Sequence, residues 1–185
     1  MRNLLLTMFL LLSSHSAYAC YDESQSGKAK FDNCLPLAEQ GVASAQFNLG
    51  NMYNGGQGVT QDYKQAVKWY RKAAEQGYAR AQFNLGNMYA SGQGVIQDYK
   101  QAVKWYRKAA EQGDADAQNN LGAMYGNGQG VTQDYVLAHM WWNIAASSGD
   151  KDSIYNRDIL AKKMSPSQIE KAQDMAREWT AKHQN

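Results

Sequence analysis

Residues 43–78 read ASAQFNLGNMYNGGQGVTQDYKQAVKWYRKAAEQGY, and residues 79–114 repeat them with changes only at the places of Ser44, Asn54, Gly55, Thr60 and Tyr78, so that 31 of 36 positions are identical. A looser third copy occupies residues 115–150, carrying Leu49, Gly50 and Tyr53 into Leu121, Gly122 and Tyr125. A fixed period of this size is the signature of a solenoid in which each unit buries its apolar face against the next. Stability is then summed along the stack rather than vested in one core.

Within a unit, Ala45, Leu49, Met52 and Tyr53 recur at spacings of three and four and predict a helix A over 44–54. Gly50, Gly86 and Gly122 fall inside this helix, where glycine costs about 1 kcal/mol against alanine. Their recurrence predicts another helix backbone passing too close for a side chain. Gly55-Gly56-Gln57-Gly58 ends the helix, and Asp62 is a natural N-cap for a helix B running to Gln76. The buried face of helix B is Ala66, Trp69, Tyr70, Ala73 and Ala74, with Trp105 and Trp141 at the places of Trp69 in later copies. Helix A, at about eleven residues, is too short to stand alone in water, so stacking must hold it.

The flanks follow from this register. Residues 1–19 form a secretory signal: Arg2 supplies the charge, residues 4–12 the apolar run, and Ala17-Tyr18-Ala19 the small-x-small cleavage site. Residues 20–41 are an N-terminal cap, irregular over 21–30 and helical over 31–40, with Pro36 weakening that helix or standing in its first turn. Repeats occupy 42–78, 79–114 and 115–150. Residues 151–185 form a helical C-terminal cap. The outward Lys64, Lys68 and Lys72, and their copies Lys100, Lys104 and Lys108, become Val136, Met140 and Ile144 in the third unit, where Leu137 and Trp142 extend the apolar patch. Such a patch calls for cover. A helix over 152–164 and another begun by the capping box of Ser165-Pro166-Ser167-Gln168 provide it.

Charge excludes little and invites little. With Arg2 set aside, 18 basic and 17 acidic residues remain, giving no reason to expect nucleic acid as a partner. No segment of the mature chain reads as membrane-spanning. Cys20 and Cys34, the two cysteines, pair as a disulfide if the compartment is oxidising. The rival assignment makes Cys20 the lipid-anchored first residue of a lipoprotein, although Ala17 and Tyr18 match that signal poorly.

The strings AQFNLGNMYNGGQGVTQDYKQAVKWYRKAAEQG, AQFNLGNMYASGQGVIQDYKQAVKWYRKAAEQG and AQNNLGAMYGNGQGVTQDYVLAHMWWNIAASSG resemble the Sel-one-like repeat, a relative of the tetratricopeptide repeat. The resemblance covers residues 31–149, and residues 158–179 look like the tail common behind such repeats in bacterial proteins. It implies an all-α, right-handed superhelix of antiparallel helix pairs, a protein-binding scaffold, and, in bacterial members, frequent export. The periplasm is the expected location, with secretion or the Cys20 anchor as alternatives. No cysteine pair stands inside each repeat, so the chain does not look like the cysteine-rich branch described as penicillin-binding or β-lactamase proteins.

In tetratricopeptide-like stacks helix A lines the concave face. The matching places Phe47, Asn48 and Asn51, then Arg80, Phe83, Asn84 and Asn87, then Asn119 and Asn120 toward a groove. Asn48, Asn84 and Asn120 form a ladder of carboxamides, each offering a donor and an acceptor to a peptide main chain; alternatively they satisfy neighbouring backbone. Phe47 and Phe83 are either groove anchors or inter-repeat core. The expected function is a non-enzymatic scaffold of the bacterial envelope that binds a peptide or partner protein, with a weakly self-associating structural component as the alternative. A hydrolase of β-lactams or peptidoglycan-like amides is a third reading. Its one motif, the S-x-x-K of Ser148-Gly149-Asp150-Lys151, lacks its S-D-N and K-T-G companions and falls on a repeat-closing turn. His139 and His183 have no metal-ligand spacing, and no cofactor or metal is expected. His139 reads as surface or cap packing.

Overall fold

Asp62, Asp98 and Asp134 each begin a helix B by turning a carboxylate back onto the first turn: Asp62 Oδ1 accepts from the Lys64 and Gln65 amides at 2.9 and 3.1 Å, and Asp134 Oδ1 from Leu137 at 3.0 Å. The structure, a computed structural model, describes residue 20 and residues 25–183. The proposed signal peptide at 1–19 lies outside the described residues. Nine helices are found among them: α1 (Gly27–Glu39), α2 (Ala43–Gly55), α3 (Tyr63–Glu75), α4 (Ala79–Ser91), α5 (Tyr99–Ala110), α6 (Ala115–Asn127), α7 (Tyr135–Ser147), α8 (Lys151–Ala161) and α9 (Pro166–His183). The fold is an all-α solenoid of successive helix pairs, with α2, α4 and α6 as helix A and α3, α5 and α7 as helix B. By contact it forms two compact units, residues up to 81 with 93–95 and residues 82–92 with 96 onward.

In the first unit, α2 packs against α1 and α3. Its core joins Cys20, Cys34, Leu37, Leu49, Met52 and Trp69, and Phe31 stands edge-on to Tyr53. Cys20 and Cys34 are disulfide-bonded, their Cα atoms 4.8 Å apart. The helix expected from residue 31 starts at Gly27, because Ser26 caps it by accepting the Ala29 amide. Pro36 is its tenth residue rather than part of the first turn. The position is tolerated because Asp32 and Pro36 face solvent, where water can take the carbonyl that proline leaves without a donor.

In the second unit, α6 packs on α5 and α7, and α8 and α9 both close on α7. Met140 and Ile144 are buried where Lys104 and Lys108 are exposed, since Ala176, Met175 and Trp179 of α9 join them. Trp142 packs with Val136 of the same patch and with Leu160, Met164 and Ala172 of the C-terminal cap, but it also has an inner side. It stands 36 residues after Tyr106 and takes that residue's inner place, its indole Nε1 2.7 Å from where a Cβ on Gly122 would be, while Nε1 donates to the Asn119 carbonyl at 3.1 Å. The expected box at Ser165 is present: the Ser165 amide donates to Gln168 Oε1 at 2.8 Å and the Gln168 amide to Ser165 Oγ at 3.3 Å.

The helix A glycines have a different cause from the one expected. A Cβ on Gly86 would lie 2.6 Å from the Tyr106 ring, and Gly50 meets the Tyr70 ring in the same way. An aromatic side chain of helix B of the same repeat, not a neighbouring backbone, takes the space. Backbone does approach backbone at the last glycine of the A–B loop: Gly58 lies against Gly27, Gly94 against the Tyr63 carbonyl and Gly130 against the Tyr99 carbonyl, leaving no room for a Cβ. The loop itself is stapled by a glutamine, Gln61 Nε2 donating to the Asn54 carbonyl and Gln97 Nε2 to that of Ala90, both at 2.7 Å.

Candidate functional site

The asparagines expected on helix A are half-buried at all six places, 48, 51, 84, 87, 119 and 120, because each stands one or two positions beside the apolar stripe. In the first unit, the Tyr70 hydroxyl donates to Asn51 Oδ1 at 2.8 Å, and Asn48 Nδ2 approaches Cys20 Sγ at 3.5 Å. Phe47 is half-buried between Tyr70 and Tyr78, at centroid distances of 6.0 and 5.1 Å. Arg80 is exposed.

In the second unit, the Tyr106 hydroxyl donates to Asn87 Oδ1 at 2.7 Å, and Asn120 Nδ2 donates to the same oxygen at 3.2 Å. Burial pushes the Tyr106 phenol up to about 12, with the Asn120 hydrogen bond opposing that rise, so it remains a neutral donor. The three groups form a clasp, and the Asn87 amide nitrogen and the Asn120 carbonyl oxygen stay outside it. Phe83 leans on Tyr106 at 6.0 Å. Asn119 Oδ1 accepts from Asn156 Nδ2 of α8 at 3.4 Å. The structure thus brings Asn87, Asn120 and Phe83 together around Tyr106, and Phe47 and Asn51 together around Tyr70. Trp69, Trp105 and Trp141 are buried supports of helix B.

Two groups of buried polar residues were not legible in the sequence. Gln46, Gln82 and Gln118 are buried. Gln118 Nε2 reaches back to the Ala110 carbonyl at 3.1 Å, while Gln112 Nε2 donates to Gln82 Oε1 at 2.7 Å. Their unbroken presence beside the alanine of each helix A stripe was the available signal. The second is His139, which stands where the earlier repeats have Val67 and Val103 and is 2% exposed.

Its Nδ1 finds no hydrogen-bond partner among the described residues. Burial, then the Arg157 charge, lower its pKa, against a smaller pull from Asp158. The unfolded chain takes a proton near pH 6.5 while the folded chain resists it, so stability falls as the pH drops below that value. His139→Val is expected to raise stability by about 1 kcal/mol and to flatten its dependence on pH between about 5 and 7, as thermal unfolding at the two ends of that range would read.

Ser148 caps the end of α7, and its Oγ donates to the Ala145 carbonyl at 2.7 Å. No group of three acidic, histidine or cysteine side chains able to hold a metal occurs among the described residues. None of the described helices is long and apolar enough to cross a membrane.

Residues 43–78, 79–114 and 115–150 each match the profile of the Sel1 repeat. Among solved structures, the chain is similar to a Sel1 repeat protein from Oxalobacter formigenes, with 36% identity, a TM-score of 0.70 and coverage of 86% of this chain and 66% of that one. It is also similar to c5321, described as a protective antigen present in uropathogenic Escherichia coli strains and displaying an SLR fold, with 32% identity, a TM-score of 0.65 and coverage of 84% and 41%. It therefore spans less than two thirds of the length of either. Cysteine rich protein B of Helicobacter pylori shares the fold at 23% identity and a TM-score of 0.54, with coverage of 69% and 94%. No curated protein matches the chain.

Proposed function

The chain belongs to the Sel1 repeat family, whose repeats serve protein–protein interaction, and on that footing we propose that it is a non-enzymatic scaffold that holds an extended segment of a partner protein along the helix A faces. The observation that carries this reading is the clasp around Tyr106. It fixes the Asn87 and Asn120 side chains in place and leaves them one donor and one acceptor, the pair that a peptide main chain matches. A carboxamide already ordered loses little rotamer freedom on binding. Phe47 and Phe83, half-buried beside these positions, would receive apolar side chains of the ligand, and Arg80 a carboxylate.

Export to the periplasm fits the disulfide, since such bonds persist in oxidising compartments. A Cys20 sulfur bonded to Cys34 has no valence left for a lipid thioether, which favours a soluble exported chain over an anchored one. Asn48→Ala, Asn84→Ala and Asn120→Ala together are expected to lose about 1 kcal/mol of affinity per rung, roughly a hundredfold or more in all. Crosslinking in the native envelope followed by mass spectrometry would identify the partner with the parent protein, and binding of that partner would then be titrated with the variant. Undiminished binding by a folded triple variant would end the proposal.

A further inference from the structure

The outer face of helix B is covered in the third repeat and open in the second. α9 lies along α7: Ala176 shares a cluster with Met140, Trp141 and Ile144, and Trp179 stands edge-on to Trp141 at 5.7 Å. On α5 the corresponding positions are Lys100, Lys104 and Lys108, all exposed and none in an ion pair among the described residues. Lys108 Nζ rests 4.8 Å over the Trp105 ring, on the counterpart of the ring that carries Trp179. Val103, Gly130 and Val131 floor a depression of about 420 Å³ whose rim is Lys100, Lys104, Arg107 and Lys108, with Glu111 at one end. Arg107 is held there by donating to the Tyr125 hydroxyl.

We infer that this face of α5 is a docking surface for an acidic amphipathic helix of a partner protein, seated as α9 is seated on α7. The fold supplies the precedent, because the same helix B surface, when apolar, receives a helix. The charge supplies the specificity. Like charges at i, i+4 and i+8 repel along a helix, and that repulsion is relieved only by counter-charge from outside. Carboxylates spaced four residues apart rise about 6 Å per step and so keep pace with the three ammonium groups. An aliphatic or aromatic side chain between them fills the depression over Val103. α3 in the first unit bears the same spacing, with Lys72 Nζ 4.5 Å over Trp69. This surface is separate from the asparagine-lined one and does not depend on it.

The test uses the full mature protein and a synthetic peptide of the 18 residues Pro166–His183 carrying Lys171→Glu, Arg177→Glu and Lys182→Glu, which flank its apolar face with carboxylates. The peptide is expected to bind saturably at low salt, to shift the Trp105 indole resonance and the Lys100–Lys108 amides, and to weaken as salt rises. Lys100→Glu, Lys104→Glu and Lys108→Glu together are expected to weaken it by at least roughly tenfold, and the three lysine-to-glutamine changes, which preserve shape, to act in the same direction. The asparagine-to-alanine variant is expected to bind it unchanged, which separates this surface from the peptide face. Absence of saturable binding would overturn the inference, as would binding that the lysine changes leave intact. So would lysine-dependent binding to phosphatidylglycerol vesicles without any binding of the peptide, which would assign the face to an anionic membrane.

Discussion

Tyr106→Ala is expected to destabilise the protein by about 3–5 kcal/mol, the range for deleting a buried aromatic. Tyr106 is 2% exposed. Its ring lies on Gly86, where no Cβ could shift inward to refill the space, so the cavity persists. Its hydroxyl is also the short partner of Asn87 Oδ1, and removing it takes away the donor around which the clasp is arranged. Tyr106→Phe separates the two contributions: it keeps the ring and loses one hydrogen bond, at about 1 kcal/mol. Urea unfolding of the three proteins decides the matter. If the phenylalanine variant is as unstable as the alanine variant, the clasp rather than the ring–glycine packing holds this repeat.

Cys34→Ser is expected to cost about 3 kcal/mol for a loop of this length. The bond spans 14 residues, and both cysteines are members of the first unit's core. Cys20 belongs to none of the described helices, and the covalent tie to Cys34 holds it beside Asn48. Thermal unfolding with and without reductant gives the check. The parent should lose stability on reduction to about the level of the variant, and the variant should not respond. A parent indifferent to reductant would mean that Leu37, Leu49 and Trp69 suffice to hold α1.

Much of the fold was open to reading because repetition converts a weak local signal into one stated three times. Asp62, Asp98 and Asp134 could be recognised as caps, and the tryptophans and alanines of helix B as buried, from spacing alone. What escaped reading is whatever depends on which atom fills a space. Gly50 announces that a side chain cannot fit, but it is silent on whether a backbone or the Tyr70 ring is the obstacle. Trp142 read as part of the patch under the C-terminal cap, where it does pack, but its register with Tyr106, which also carries its indole onto Gly122, went unread. His139 occupies a valine position, and an ionisable group in such a place is a cost that no periodicity reveals. The candidate site was read to the same depth. The positions of Asn48, Asn84 and Asn120 followed from the period, but the sharing of Asn87 Oδ1 between Tyr106 and Asn120 is a matter of side-chain reach across three helices.

The loop glycines carry a consequence for how such a chain can change in length. Gly94 presses its backbone into the first turn of α3, and Gly130 does the same to α5, so each loop is a tooth cut for a socket one period upstream. A block of 36 residues contains both halves of that fit, the socket in its own helix B and the tooth for the block before. Duplication or loss of a whole block leaves every mesh intact, whereas one residue more or less in the loop takes the tooth out of its socket. A change in copy number by whole blocks of 36 residues therefore leaves this mesh undisturbed, while the spacing within a block stays rigid.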